Sequence, residues 1–322
     1  MSENLKSIDD SIPILKRGQE VVDRLRGEVP EPKPRAAMPR IGVALGGGSA
    51  RGLTHIPFIE AMDEMGLTPS VISGTSIGAL IGAGWASGMT GAELREHSIS
   101  VLGTMRIIAG RLWGAQIRNI GGLIANGLNM QLEADRVVEA FMPSPFPDDF
   151  RDLKIPFYVV ATDFQSWHQV VFSEGMLRQA IAGSIAIPGL FKPVVHANHV
   201  LVDGGVVNPL PLDQAADCDV LVGIDVNGDP SEVIKRTSHN AADVWFGSAQ
   251  IMMHSLTAHM MAAYPPDVYA RPHVNSFGMM EFWRVREIIE AADKEKDNFK
   301  RNLTRKVEQF IMKSGEITRA GD

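Results

Sequence analysis

The stretch Val71-Ile72-Ser73-Gly74-Thr75-Ser76-Ile77-Gly78-Ala79-Leu80-Ile81 decides the fold. A short apolar run meets Gly-x-Ser-x-Gly and passes without a spacer into residues 77–88, where Ala79, Gly82, Ala83, Gly84 and Ala86 predict a helix of small residues. A strand that bends sharply into a helix leaves the central serine on a tight turn with its hydroxyl projecting. Gly74 and Gly78 leave room where a Cβ would strike the neighbouring strand or helix. The helix start adds free N–H groups and its positive dipole end beside Ser76. Ser76 is therefore a candidate nucleophile. Chance occurrence in a glycine-rich chain is the alternative, and the strand–turn–helix placement argues against it.

A unit of the same kind precedes it. Ile41-Gly-Val-Ala-Leu45 reads as a buried strand, runs into Gly46-Gly47-Gly48-Ser49-Ala50-Arg51-Gly52, and continues as a helix over 55–65. Glycines between a strand and a helix let consecutive N–H groups converge on an anion. That anion is either a nucleotide phosphate or the oxyanion of a reacting carbonyl. Arg51 stands where GxGxxG requires glycine, the P-loop pattern is absent, and no acid ends the second strand to hold a ribose. These departures count against a nucleotide. Two successive strand–glycine turn–helix units predict parallel strands, right-handed crossovers and a sheet covered on both faces.

Further strands are expected at 157–162, 170–172, 199–202, 221–226 and 268–270, with helices at 176–185 and 238–264. The strand His199-Val-Leu-Val202 ends in Asp203-Gly204-Gly205. An acid at the carboxyl end of a strand is where open α/β sheets place working groups, so Asp203 is the candidate acid and Asp225 the runner-up. Asp163 reads as a turn-stabilising residue. The 238–264 helix carries Met252, Met253, Leu256, Met260 and Met261, a stripe suited to a core or to an adaptable acyl-chain surface. Residues 105–124 mix Arg106, Arg111 and Arg118 with Ile107, Ile108, Leu112, Trp113 and Ile117. Such a segment suits a core-facing helix with solvated arginines, or a membrane or acyl surface.

With 31 Lys+Arg against 38 Asp+Glu the net charge is −7, which argues against a nucleic-acid-binding surface. The single cysteine, Cys218, cannot form an internal disulfide, and no CxxC or Cys/His cluster suggests a metal. No signal peptide or 18-residue apolar span is evident, so a cytoplasmic location is expected. Residues 1–39 divide into a short amphipathic helix over 12–25 and a proline-rich extended linker. Residues 40–275 form the expected catalytic domain, and 276–322 a charged, solvated helical extension.

Taken in order, Gly46 to Gly52, the Ser76 elbow and Asp203-Gly204-Gly205 resemble the patatin-like phospholipase family, in particular its bacterial esterase subgroup. Gly66-Leu67, Ser184-Ile-Ala-Ile-Pro-Gly-Leu190 and Asn208-Pro-Leu-Pro211 strengthen the likeness, which covers roughly residues 40–275. It implies a three-layer α/β/α sandwich with a mostly parallel sheet and a serine hydrolase that uses a Ser–Asp dyad without histidine. Ser76 would be the nucleophile and Asp203 the base. The N–H groups of Gly47, Gly48 and Ser49 would form the oxyanion hole, while Arg51 would steady the loop or sit near a phosphate of the substrate. Phospholipids, other acyl-glycerols and fatty-acid esters are the substrates implied, with peripheral membrane contact and neither a metal nor an organic cofactor. Two rivals remain. One is a Ser-Asp-His triad drawing on His239, His254, His259 or His273. The other is a lipid-binding scaffold without turnover, which would need none of the three motifs. A carboxylate base near its ordinary pKa of about 3.9 is expected to work at mildly acidic pH.

Overall fold

The computed structural model describes residues 38–116, 132–229 and 241–320. The expected helix over 12–25, most of the linker, His239 and the side chains of the basic segment 105–124 lie outside what it describes.

Eight strands form one sheet: β1 (Ile41–Leu45), β2 (Val71–Thr75), β3 (Phe157–Asp163), β4 (His168–Phe172), β5 (Val194–His196), β6 (His199–Asp203), β7 (Val220–Ile224) and β8 (Val268–Ala270). Their spatial order is β5-β6-β3-β2-β1-β7-β8, with β4 also paired to β3. Strands β1, β2, β3, β7 and β8 run parallel, whereas β4 and β6 are antiparallel to β3. The flanking helices are α1 (His55–Glu64), α2 (Ile77–Ala86), α3 (Gly91–Gln116), α4 (Ala134–Phe141), α5 (Leu177–Ser184), α6 (Ala241–Ala263), α7 (Val285–Asp293) and α8 (Lys296–Ala320).

Strand periodicity explains how both faces are covered. Ile41, Val43 and Leu45 of β1 and Val220, Val222 and Ile224 of β7 join the main core, while the intervening Ala44 and Leu221 pack with Leu210, Leu212 and Ala215. Alternate side chains leave a strand on opposite faces, so these are the two sides of one sheet. The expected mostly parallel α/β architecture is thus present.

The partner of β3 changes midway along one edge. β2 pairs with it up to Thr75 opposite Val160, and β6 takes over with Asp203 opposite Ala161. β4 pairs continuously from Val159 to Asp163 and so occupies the other edge. β2 and β6 therefore meet end to end.

The C-terminal segment departs from expectation. The expected single helical stretch is two helices, and they pack on the body rather than standing in solvent. Phe299, Leu303 and Val307 of α8 are buried, and Phe299 meets Phe58 of α1 edge-on at 5.1 Å between ring centroids. The charges are paired across elements: Arg95 binds Glu60 and Asp293 at 2.6 Å each, and Lys296 reaches Glu64 at 2.7 Å. The compact unit that begins at Met38 takes in these helices.

Candidate active site

Ser76 joins β2 to α2 with φ 55° and ψ −124°, a conformation that costs a residue bearing a Cβ about 1–3 kcal/mol. The surroundings hold it there. A Cβ on Gly74 would lie 2.5 Å from the Gly78 carbonyl oxygen, and one on Gly78 would collide with the Leu45 carbonyl. The Ser76 N–H donates to Ser184 Oγ at 2.9 Å, and the Ser184 hydroxyl donates to the Val160 carbonyl at 2.6 Å. A serine on α5 thus ties the turn to β3.

Asp203 ends β6. The Ser76 hydroxyl donates to its Oδ2 at 2.6 Å, and the Gly205 N–H donates to Oδ1 at 2.8 Å. Its backbone is fixed as well, with its N–H donating to Ala186 O at 2.9 Å and its carbonyl accepting from Thr162 Oγ1 at 2.8 Å. Burial raises the carboxyl pKa to about 6, partly opposed by the two donors. A base with a pKa near the working pH combines availability with proton affinity.

The glycine loop lies beside this pair, held from behind. Gly46 N–H donates to Ile224 O at 3.0 Å, and Gly47 N–H to Pro209 O at 2.8 Å. Buried His55 contacts the Gly46 carbonyl through Nε2 at 2.8 Å, and burial pushes its pKa down to about 4. The ring is therefore neutral near pH 7, with Nε2 carrying the proton it donates. Arg51 donates to the carbonyls of Phe277 at 2.8 Å and Asn227 at 3.0 Å. It staples the loop to these two carbonyls and does not line the cavity. Gly47, expected among three oxyanion donors, has its N–H committed to Pro209. Among the described residues, the N–H groups of Gly48 and Ser49 have no hydrogen-bond partner, and both residues line the same cavity as Ser76.

That cavity measures about 260 Å³. Ser76 and Asp203 line it together with apolar Ile187, Pro188, Val206, Met252, Met253, Leu256 and Met279. The methionine-bearing helix α6 thus contributes to the cavity.

The remaining candidates lie elsewhere. Asp163 accepts from Gln165 N–H, the Ser166 hydroxyl and His199, the expected turn-holding role, and the Ser166 and His199 bonds hold its carboxyl well below the usual range. Asp225 accepts from Asn227 N–H, Tyr269 and Arg271, so it anchors structure. Of the triad histidines, His259 bonds the Ser255 carbonyl and His273 faces Glu295. Neither these nor His254 lines the cavity. Ser184, Thr162 and His55 were not singled out as site residues from the sequence. Ser184 opens the stretch Ser184 to Leu190, but its partners are 108 and 24 residues away in the chain, and no local pattern shows that. Among the described residues no group of three or more His, Cys, Asp or Glu is placed to hold a metal ion. No described helix is long and apolar enough to cross a membrane.

Residues 43–216 match the patatin-like phospholipase family. An NTE family protein of Mycobacterium tuberculosis is 32% identical over 212 residues, 65% of this chain and 55% of that protein. Lysophospholipase NTE1 of Kluyveromyces lactis is 26% identical over 296 residues, covering 83% of this chain and 20% of its own length. The chain thus spans at most about half of these relatives. Among solved structures, VipD from Legionella pneumophila is similar at a TM-score of 0.42 and 13% identity, over 83% of this chain and 67% of VipD. The family match covers more than half of the chain and takes in the glycine loop, the Ser76 elbow, Ser184 and Asp203, and the protein belongs to the patatin-like phospholipase family.

Proposed function

We propose that this protein is a lipid acyl hydrolase, a phospholipase A or esterase that cleaves fatty-acyl esters through Ser76 and Asp203. The observation that carries the reading is the 2.6 Å hydrogen bond from Ser76 Oγ to a buried carboxylate, both lining a largely apolar cavity. The acyl chain lies along Met252, Met253 and Leu256, which brings the ester carbonyl over Ser76. Ser76 Oγ attacks the carbonyl carbon while Asp203 Oδ2 takes its proton. The carbonyl oxygen becomes an oxyanion facing the N–H groups of Gly48 and Ser49, where each placed donor is worth about 3–4 kcal/mol. Collapse expels the alcohol, which takes the proton from Asp203 and leaves an acyl-Ser76 ester. Water then gives a proton to Asp203 and its oxygen to the acyl carbon. The second collapse frees the fatty acid and returns the proton to Ser76. General-base assistance contributes roughly 10²–10⁴-fold.

Burial revises the expected pH behaviour. With Asp203 raised to about 6, activity falls as pH drops through about 6 and not through 3.9. That limb lies close to a histidine's, at about 6.5, so a pH profile alone does not separate dyad from triad.

The test is hydrolysis of a chromogenic fatty-acid ester and a lysophospholipid by wild type, Ser76→Ala, Asp203→Asn and a variant lacking His239, His254, His259 and His273, each checked for folding. Loss in both single variants with the histidine variant active is the expected result. A dead histidine variant would put the triad ahead, and an inert wild type would favour a scaffold.

A further inference from the structure

We infer that α6 is the face by which this protein lies on an electrically neutral lipid surface, delivering acyl chains into the cavity over Ser76. The inference rests on the acyl-hydrolase reading for its purpose but not for its test. Residues 241–263 contain one charged side chain by sequence, Asp243. A helix of that composition belongs in a protein core or in contact with lipid. Yet among its described side chains only that of Thr257 is buried. Ile251 is 72% exposed, and Val244 and Met252 are each more than half exposed. Val244 and Ile251 are seven residues apart, two helical turns, so they share a face.

Two observations single out lipid as the occupant. The first is continuity with the cavity. Met252 is 58% exposed and Val206 49% exposed, yet both also line the cavity, so apolar surface runs from the outer face of the helix to the reaction site. A chain leaving a bilayer there stays off water throughout. The second is charge. Protein interfaces use charges to fix register and exclude wrong partners, and anionic membranes recruit Lys and Arg. Among the described side chains of α6, the exposed polar groups are the hydroxyls of Ser248 and Ser255 and the imidazole of His259. A neutral, zwitterionic surface asks for nothing more.

The competing apolar patch is the β3–β4 turn, where Trp167 is 83% exposed beside Phe164. It does not line the cavity and serves as the control.

The experiment is flotation of the full chain with phosphatidylcholine vesicles, made on Ser76→Ala so that binding is read without turnover. The expected result is co-flotation that is lowered at least tenfold by Val244→Glu with Ile251→Glu and left unchanged by Trp167→Glu. In the active protein the glutamate pair should keep hydrolysis of a monomeric short-chain ester within twofold and slow hydrolysis of vesicle lipid at least tenfold. If the pair does not fold, Val244→Ser with Ile251→Ser is read in its place. Failure to float, flotation insensitive to the α6 pair, loss through Trp167→Glu, or binding only to phosphatidylglycerol vesicles would each overturn the inference. A protein that floats but is inert on every ester refutes the hydrolase reading alone. One that cleaves monomeric ester but does not float refutes docking alone.

Discussion

Thr75 at the end of β2 and Asp203 at the end of β6 stand opposite consecutive residues of β3, Val160 and Ala161. One strand therefore acts as the ruler for the Ser76–Asp203 pair. Ser76 follows Thr75 and steps into the gap where β6 ends, so ladder hydrogen bonds, not loops, fix the spacing of the two side chains. The parallel central strands bring Ser76 to this edge, and a strand running the opposite way brings the acid.

Because both backbones are fixed by this ladder, a longer acid cannot retreat. We expect Asp203→Glu, which keeps the carboxylate but adds a methylene, to lower kcat by about 10²-fold, the cost of roughly 1 Å of misplacement. Steady-state kinetics on a soluble ester checks it, and a loss below fivefold would show that the geometry is looser than described.

Asp203 should cost the protein stability. Its folded pKa, about 6, lies above its ordinary 3.8, so between these values the folded state holds more protons and stability falls as pH rises. At pH 7 the buried charge costs at most about 3 kcal/mol. Asp203→Asn is thus expected to be inactive yet more stable than wild type by about 1–3 kcal/mol at pH 7, with the gain disappearing near pH 4. Urea unfolding at both pH values tests the sign.

His55 has the opposite dependence. Its folded pKa, about 4, lies below the usual 6.5, so the unfolded chain takes up the proton first and stability is lost as pH falls through that window. From pH 7 to 5 this amounts to about 2 kcal/mol, while Asp203 returns between about 1 and 2. Wild type should therefore change little over that range, whereas Asp203→Asn should lose about 2 kcal/mol. An Asp203→Asn variant whose stability stayed flat between pH 7 and 5 would count against a neutral, buried His55.

Ser184→Ala leaves the buried N–H of Ser76 and the Val160 carbonyl without the hydroxyl that joins them. The expected cost is about 1–3 kcal/mol of stability, together with a fall in kcat larger than any change in KM, because the elbow loses its tie. Equal effects on kcat and KM, with stability unchanged, would remove Ser184 from the support of the turn.

Local signals made the first half of the site legible. The Ser76 elbow and the glycine loop are each a strand, a turn and a helix contiguous in sequence, and their glycines report a steric need that arises within a few residues. The acid was legible as Asp203 by its place after a strand, but not the direction of that strand, since pairing to β3 joins segments some forty residues apart. The commitment of Gly47 N–H to Pro209, the burial that lifts Asp203, and the docking of α8 depend on contacts that close only in the folded chain. For α8 the spacing of Phe299, Leu303 and Val307 is present in the sequence, but abundant Lys, Arg and Glu around it mask the apolar face.

The family match ends at residue 216, while Met252, Met253, Leu256 and Met279 lie beyond it. The proposed reacting residues and much of the cavity wall therefore lie in separate stretches of this polypeptide. Chimeras that keep residues 43–216 and take α6 from a relative would exchange substrate preference as a cassette, leaving the bond-breaking step untouched.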